Sequence, residues 1–160
     1  MDTETGALQL ERHFELSPGF LIRRLHQIHI SLFAEECAGF DVTPVQYSVL
    51  SVINAQPGMD QSAIAEEIGV DRATLANVVA RLEAGGLLRR TISRLDRRQK
   101  LLSLTQRGKN LLVKMQEPVQ RAHARTIEPL AAKDREKFLN LLIQLVDGGN
   151  EYGRVKLRLR

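Results

Sequence analysis

A short run of side chains between residues 72 and 77 has the chemistry needed to read the edges of DNA bases. The run begins with Arg72, Ala73 and Thr74 and reaches Asn77. Arginine makes paired hydrogen bonds to guanine, asparagine does the same with adenine, and threonine or alanine methyl groups contact thymine. Taken alone, these residues are just as typical of a solvated helix face. The run therefore predicts a base-reading surface only where its surroundings support one.

A second group of side chains carries the positive charge that a phosphate backbone requires. It lies in a polar run between two short apolar stretches, 87–92 and 101–104. Its members are Arg94, Asp96, Arg97, Arg98 and Lys100. Residues 71–100 have a net charge of +5, against +4 for the whole chain. Because DNA affinity comes largely from neutralised phosphates, this concentration predicts a DNA-binding face. We expect Asp96 to hold Arg98 in a bidentate ion pair and direct it into a groove.

Two short helices joined at a glycine would position the base-reading run. The first has Asp60 as its N-cap and Gly69 as its end, since glycine adopts a left-handed turn at little cost. The second begins after Asp71 and closes at Gly85. Its apolar residues recur at helical spacing: Leu75, Val78, Val79 and Leu82. This is the helix-turn-helix pattern, which presents the start of its second helix to the major groove. The apolar stretches that follow predict a hairpin, or wing.

The wing and the residues around it resemble a known family. The run Asp96-Arg97-Arg98, followed by Leu104-Thr105 and Gly108, is similar to the D-x-R…LT-x-x-G signature of the MarR family of winged-helix regulators. Residues 82–90 resemble that family's link between recognition helix and wing, and the resemblance extends over residues 18–149. It implies that Asp96 and Arg98 form the wing-tip pair, and that residues 72–77 read bases. Within the family, residues 21–50 resemble regulators of aromatic-acid breakdown, whose effectors are aromatic acids or their coenzyme A thioesters.

The predicted fold is mainly α with a small β-hairpin wing: a winged helix-turn-helix flanked by N- and C-terminal dimerisation helices. Proline after a capping residue marks two helix starts, at Pro18 and Pro44, whereas Pro118 predicts a bend or break. The predicted segments are a loose arm (1–16), an N-terminal dimerisation helix (17–40), the DNA-binding domain (41–104), C-terminal dimerisation helices (105–149) and a basic tail (150–160). Pairing two chains would cover the apolar terminal helices and place two recognition helices for a pseudo-palindromic operator.

Candidate effector-binding residues lie on the first two helices: Arg23, His26, His29, Phe33 and Tyr47. An imidazole can bond a phenol or carboxylate, and Arg23 can bind an acidic group. The family resemblance implies an effector pocket near Tyr47. The alternative for each is structural: histidines and a hydroxyl at the edge of the core, and an arginine on a solvated face. No Cys-x-x-Cys or Glu-x-x-His motif completes a metal site, so we expect neither a metal nor a cofactor.

Composition narrows the class of protein further. The sequence pI of about 9.6 favours a polyanionic partner, and an aromatic content of 4% is low for a single-strand binder. No apolar run is long enough to cross a membrane, and the acidic N-terminus is unlike a secretory signal. With a single cysteine, these features predict a cytoplasmic protein. No catalytic constellation is present, so an enzyme is not expected.

Two alternatives to a ligand-responsive regulator stay open at this point. One is an architectural DNA-binding protein that has no effector and little sequence preference. The other is a redox-responsive regulator that acts through Cys37. Against the second, we expect Glu35 and Glu36 to raise the pKa of the Cys37 thiol and so make it less reactive.

Overall fold

The structure is a computed structural model that describes residues 14–153. Its elements are α1 (Pro18–Glu36), α2 (Pro44–Ala55), α3 (Gln61–Ile68), α4 (Arg72–Ala84), β1 (Leu88–Ile92), β2 (Lys100–Leu104), α5 (Gln106–Ile127), α6 (Ala132–Gly148) and a 3-10 turn (Asn150–Tyr152). This confirms the predicted fold class. Most of the predicted arm and of the basic tail lie outside the described residues.

Local capping explains where the helices begin. Ser17, Thr43, Asp60 and Asp71 each accept a backbone N–H from the first turn of the following helix. At Thr43 the bond is reciprocal, because the Gln46 side chain also accepts from the Thr43 backbone N–H. The α3 helix ends at Gly69, which has a left-handed φ of 70°. These short-range signals are the ones from which the sequence predicts the helix boundaries.

The DNA-binding half of the chain has its own core between α2, α3, α4, the hairpin and the start of α5. Its fully buried side chains include Leu50, Ile53, Ile64, Leu75 and Leu102. The hairpin is antiparallel, with Leu88 opposite Leu104 and Ile92 opposite Lys100. This core fixes α4 relative to the wing, so the two candidate DNA-binding elements form one body.

The sheet has a further short contact that the sequence does not predict. The backbone N–H of Leu102 donates to the Met59 carbonyl at 3.1 Å, and Gly58 donates to the Leu102 carbonyl at 3.1 Å. Asp60 and Leu101 form an isolated antiparallel bridge. The turn before α3 therefore pairs with the outer edge of β2, which ties the helix-turn-helix to the wing.

The long helix α5 packs antiparallel against α1. Met115, Val119 and Ala122 of α5 form a second buried cluster with Phe33 and Cys37. Of the bend or break predicted at Pro118, the break is absent, because α5 runs without interruption from Gln106 to Ile127. A proline in a helix removes one backbone hydrogen bond, and the buried contacts on either side of Pro118 hold the helix together.

The last helix, α6, has no buried residue. Several large apolar side chains on it are exposed: Leu139, Leu141, Ile143, Leu145 and Val146. Leu21, Ile22 and Ile28 on α1 are likewise about half exposed. A single chain therefore leaves apolar surface at the end of the molecule away from the wing.

Within residues 14–153, no helix is long and apolar enough to cross a membrane.

Candidate DNA-binding surface and effector pocket

The candidate base-reading residues lie on the outer side of α4. Arg72, Ala73, Thr74 and Asn77 are all exposed, whereas Leu75 between them is fully buried. Helical periodicity produces this division, because the buried side of α4 packs on α2 and α3 while the opposite side faces solvent. The four side chains are thus available to a groove of DNA.

The first turn of α4 is stabilised by the Asp71 carboxylate. One carboxylate oxygen accepts the Thr74 backbone N–H at 2.8 Å, and the other accepts the Thr74 hydroxyl at 2.7 Å. These hydrogen bonds from Thr74 hold the pKa of the Asp71 carboxyl below its usual value. Because the Thr74 hydroxyl is already used at the cap, its methyl group is the part left for a base.

The tip of the wing is an ordered, hydrogen-bonded turn. The Ser93 hydroxyl is buried and accepts the backbone N–H groups of Leu95 and Asp96 at 3.2 and 3.3 Å. Ser93 also donates its backbone N–H to the Gln99 carbonyl at 3.0 Å, and Gln99 donates to the Asp96 carbonyl at 3.0 Å. The wing therefore presents its charged side chains from a defined backbone.

The predicted ion pair between Asp96 and Arg98 is wrong. The Asp96 carboxylate accepts the backbone N–H of Arg98 at 2.9 Å, and no ion pair joins the two side chains in the described structure. In a tight turn, a backbone N–H two residues ahead lies closer to an aspartate than a long side chain does. Asp96 therefore shapes the turn and leaves the Arg98 guanidinium free.

The arginines of this region divide into free and paired groups. Arg72, Arg94, Arg97 and Arg98 are exposed and have no ion-pair partner within residues 14–153. Arg90, by contrast, donates its side chain and its backbone N–H to Glu83 near the end of α4. This contact also lowers the pKa of the Glu83 carboxyl. Arg90 thus connects the wing to α4 and contributes less free charge than its presence in the sequence implies.

The motif that links the wing to α5 also has a packing role. Thr105 donates its hydroxyl to the Gly86 carbonyl at 2.7 Å and its backbone N–H to the Leu87 carbonyl at 3.1 Å, and it caps α5. A Cβ atom on Gly108 would lie 2.1 Å from the Leu87 carbonyl oxygen. Only glycine fits at this distance, so residues 104–108 fix the angle between the wing and α5.

Leu95 is a surface feature that the sequence patterns did not predict. Its side chain is 100% exposed at the wing tip, between Arg94 and Arg97. Proteins that bind the minor groove combine cations with apolar side chains that insert between base steps. In the sequence, this feature is visible only as a single leucine in an otherwise polar run, and the charge pattern of the run gives no indication of it.

A pocket of about 460 Å³ lies between α2 and α5, and we call it the α2–α5 pocket. Its wall combines apolar residues with hydroxyl, amide and imidazole groups: Tyr47, Ser51, Asn54, Gln116, Val119 and His123 among others. The Tyr47 ring also packs edge-on against Phe33 of α1, with centroids 6.4 Å apart. Of the five candidate effector residues, Tyr47 lines this pocket and Phe33 supports it from behind.

His29 of α1 lies along α5 rather than on an isolated face. The His29 ring stacks on His123 at 5.1 Å, and His29 Nδ1 is 2.8 Å from the Thr126 hydroxyl oxygen. Since that hydroxyl donates to the Ala122 carbonyl at 2.8 Å, its oxygen must accept, so His29 carries its proton on Nδ1. Burial, followed by His123 and His26, lowers the pKa of His29.

The remaining candidate effector residues stay outside the α2–α5 pocket. His26 is exposed on α1. Arg23 is also exposed, with its guanidinium 5.5 Å from the centre of the Phe20 ring. The structure therefore joins His29, Phe33 and Tyr47 to the pocket wall, directly or through His123, and leaves Arg23 and His26 on the open face of α1.

Cys37 is buried at the end of α1, against Met115 and Val119. Burial raises the pKa of its thiol, and the neighbouring Glu36 raises it further. Of the two predicted neighbours, only Glu36 has this effect, while Glu35 accepts a hydrogen bond from Arg125 at 2.9 Å. A buried thiol with a raised pKa is a poor nucleophile.

Comparison with known proteins shows which family this chain belongs to. Residues 40–99 match the model of the MarR family. The putative transcriptional regulatory protein for the hcr operon of Thauera aromatica is 34% identical to this chain over 128 residues, which are 79% of this chain and 77% of that protein. The chain belongs to the MarR family.

Solved structures agree with this assignment. The PcaV transcriptional regulator of Streptomyces coelicolor, solved with its natural ligand, is 36% identical and has a TM-score of 0.78, covering 82% of this chain and 93% of PcaV. Bordetella bronchiseptica BpsR, whose DNA binding is regulated by 6-hydroxynicotinic acid, is 28% identical with a TM-score of 0.80, covering 84% and 96%. MarR proteins are DNA-binding transcription regulators, and this chain is one of them rather than an enzyme.

Proposed function

We propose that this MarR protein is a repressor of an operon for aromatic-compound catabolism, and that an aromatic acid releases it from a pseudo-palindromic operator. The observation that carries the proposal is the α2–α5 pocket, which lies where the DNA-binding half meets the α1–α5 bundle. A ligand held there contacts both halves. Its binding energy can therefore shift the position of α4 and, with it, DNA affinity.

The chemistry of the pocket favours a small aromatic acid. Its volume of about 460 Å³ falls in the range of small-molecule sites. Leu112, Val113 and Val119 offer apolar contact for a ring, while Tyr47 and His123 offer hydrogen bonds to a hydroxyl or carboxylate. A pocket of this volume can enclose a whole aromatic acid. A coenzyme A thioester would place only its acyl group here and leave its nucleotide outside, so we favour the free acid. The aromatic-acid effector of the similar BpsR supports this choice.

We also propose that the protein acts as a homodimer in which α1, α5 and α6 of two chains pair. The half-exposed apolar residues of α1 and the wholly unburied α6 support this arrangement. Arg23 and His26, which are exposed and do not line the α2–α5 pocket of their own chain, are then available to the partner's pocket. Two recognition helices would contact half-sites about one DNA turn apart.

The test is fluorescence-anisotropy binding to DNA from the gene's own upstream region, with and without a panel of aromatic acids and their coenzyme A thioesters. We expect sequence-selective binding that one acid releases. Tight binding that no compound changes would favour an architectural role, and release by oxidation alone would favour control through Cys37.

A pair of variants locates the effector. Tyr47→Phe removes one hydroxyl from the pocket, and we expect it to raise the effector concentration needed for half-release by about 5- to 10-fold, the loss of roughly one hydrogen bond. Ser48→Ala is the control, since Ser48 is exposed on the same helix, donates to the Pro44 carbonyl and does not line the pocket. Equal responses of the two variants would place the effector elsewhere.

A further inference from the structure

A larger cleft lies on the opposite side of α5 from the α2–α5 pocket. It has a volume of about 1050 Å³ and is bounded by the end of α1, the start of α2, the end of α4 and the start of α5. We call it the α4–α5 cleft. On α5 it is lined by residues 107, 110, 111 and 114, whose spacing of three and four places them on one face of the helix. The α2–α5 pocket uses residues 112, 116, 119 and 123 instead, so the two cavities are separate.

Three cations line this cleft, and their side chains are unpaired. Arg81, Arg107 and Lys114 are exposed, and their charged groups make no hydrogen bond or ion pair within residues 14–153. Elsewhere in the same helix, Arg121 and Arg125 are both paired with carboxylates. Asp41 is the one acidic residue that the described chain contributes to the cleft wall. The cleft therefore has an excess of positive charge that nothing in the described structure neutralises.

The spread of these cations indicates a ligand with more than one negative group. Arg107 and Lys114 are seven residues apart on α5, which is about 10 Å along the helix axis. One carboxylate is too short to satisfy both in extended conformations. Arginine forks bind phosphate oxygens in pairs, and lysine adds a point charge. A chain of two or three phosphates matches this arrangement.

Part of the remaining wall is apolar, beside the polar Thr43, Gln46 and Asn110. Phe40, Val42, Leu87 and Leu111 are partly buried and line the cleft beside the cations. Such a surface is suited to a flat organic group rather than to a bare inorganic ion. The cleft thus offers separate places for an anionic chain and for an apolar body.

We propose that the α4–α5 cleft binds an organic polyphosphate, such as a nucleoside diphosphate or triphosphate. Its phosphates lie on Arg81, Arg107 and Lys114, and its organic part rests on Phe40, Val42 and Leu111. A ligand so placed bridges the end of the recognition helix and the start of α5. It gives the protein a second effector input, separate from the aromatic-acid pocket and not dependent on it.

The test is isothermal titration of the intact protein with ADP, inorganic pyrophosphate and inorganic phosphate at physiological salt. We expect ADP to bind more tightly than pyrophosphate, and phosphate most weakly. In Arg107→Gln/Lys114→Gln, the ADP affinity should fall at least about tenfold, because two cations no longer bind the phosphates. Lys109→Gln is the matched control, since Lys109 is exposed on α5 but does not line the cleft.

Several results would overturn the proposal. One is no ADP binding by the wild-type protein at millimolar concentration, and another is an equal loss of affinity in the Lys109→Gln control. Pyrophosphate binding as tight as ADP binding would show that the organic part of the ligand makes no contribution and would contradict an organic polyphosphate ligand. If the double variant kept ADP affinity but lost DNA affinity, the cations would serve DNA. Single Arg81→Gln provides an independent check should the double variant fail to fold. Aromatic-acid release, measured separately, would be unaffected by any of these outcomes.

Discussion

The wing and the α1–α5 contact use the same residue type in opposite ways. At the wing, Arg94, Arg97 and Arg98 are exposed and lack carboxylate partners in the described chain. Between α1 and α5, Arg125 contacts Glu35 and Glu36 at 2.9 and 2.7 Å, and Arg121 contacts Glu36 at 2.8 Å. A paired guanidinium holds two helices together, whereas a free one is available to phosphate. Whether an arginine has a carboxylate partner, and not the residue type itself, thus separates the arginines that join helices from those available to DNA.

Removing the unpaired positive charges of the wing should have the largest effect, and that effect should be on DNA affinity. We expect Arg97→Ala/Arg98→Ala to weaken binding to all DNA sequences by roughly 100-fold or more, since each charge-assisted hydrogen bond is worth about 1.5–3 kcal/mol. The plot of log affinity against log salt should become shallower by about 0.9 for each phosphate that the wing no longer neutralises. Anisotropy titrations across a salt series measure both. An unchanged slope would mean that the wing does not contact the backbone.

Substitutions on the recognition helix should have a smaller and more selective effect. We expect Asn77→Ala or Arg72→Ala to cost about 1–3 kcal/mol at particular base pairs and little on non-specific DNA. Competition against operators with single base-pair changes measures the effect. Ala80, exposed on the same helix farther from its start, provides a control through Ala80→Ser. If neither variant altered the preference at any position, α4 would not read bases.

Breaking a paired arginine should change stability and leave the salt dependence alone. We expect Arg125→Gln to lower the thermal midpoint by a few degrees, because it removes the ion pairs with Glu35 and Glu36. Arg121 lowers the Glu36 carboxyl pKa most, with Arg125 next, so this stabilisation is present above the usual pKa and is lost as pH falls below it. Melting curves with salt-slope measurements test the separation. A shallower salt slope in Arg125→Gln would show that Arg125 also contacts DNA.

The smallest effect should come from His29. The usual pKa of histidine is 6.5, and the pKa of His29 in the folded protein lies below that value. As the solution becomes acidic, the unfolded chain therefore binds a proton at His29 before the folded chain does. Stability should therefore be full above about pH 6.5 and decline below it. His29→Asn retains a donor for Thr126 but cannot titrate, and should flatten the decline. Thermal melts of both proteins between about pH 5.5 and 8 measure it, and identical pH profiles would contradict this role.

The features that sequence patterns predicted are local ones. The N-caps at Asp60 and Asp71 and the left-handed Gly69 depend on residues within a few positions of each other, and the hairpin joins two strands that are consecutive in the chain. The family resemblance extended the prediction to the whole architecture. The exposure of Arg72, Ala73, Thr74 and Asn77 followed from helical periodicity once the buried side of α4 was identified.

The features that were missed depend on contacts between distant parts of the chain. His29 and Thr126 are 97 residues apart in sequence, and no pattern near either one predicts their hydrogen bond. Of the bend or break predicted at Pro118, the break is absent, because burial of Met115 and Val119 outweighs the absence of a single backbone hydrogen bond. The Asp96–Arg98 prediction failed for a different reason, since a nearer backbone donor took the carboxylate.

The close approach of Gly108 to the Leu87 carbonyl has a genetic consequence. Every amino-acid replacement at codon 108 adds a Cβ atom where none fits, so the wing must move relative to α5. Under the proposed function, a selection for unregulated expression of the repressed operon should therefore recover many different substitutions at this one codon. Such mutants should keep an intact effector pocket and still be insensitive to the inducer, because they no longer hold the operator that the inducer would release.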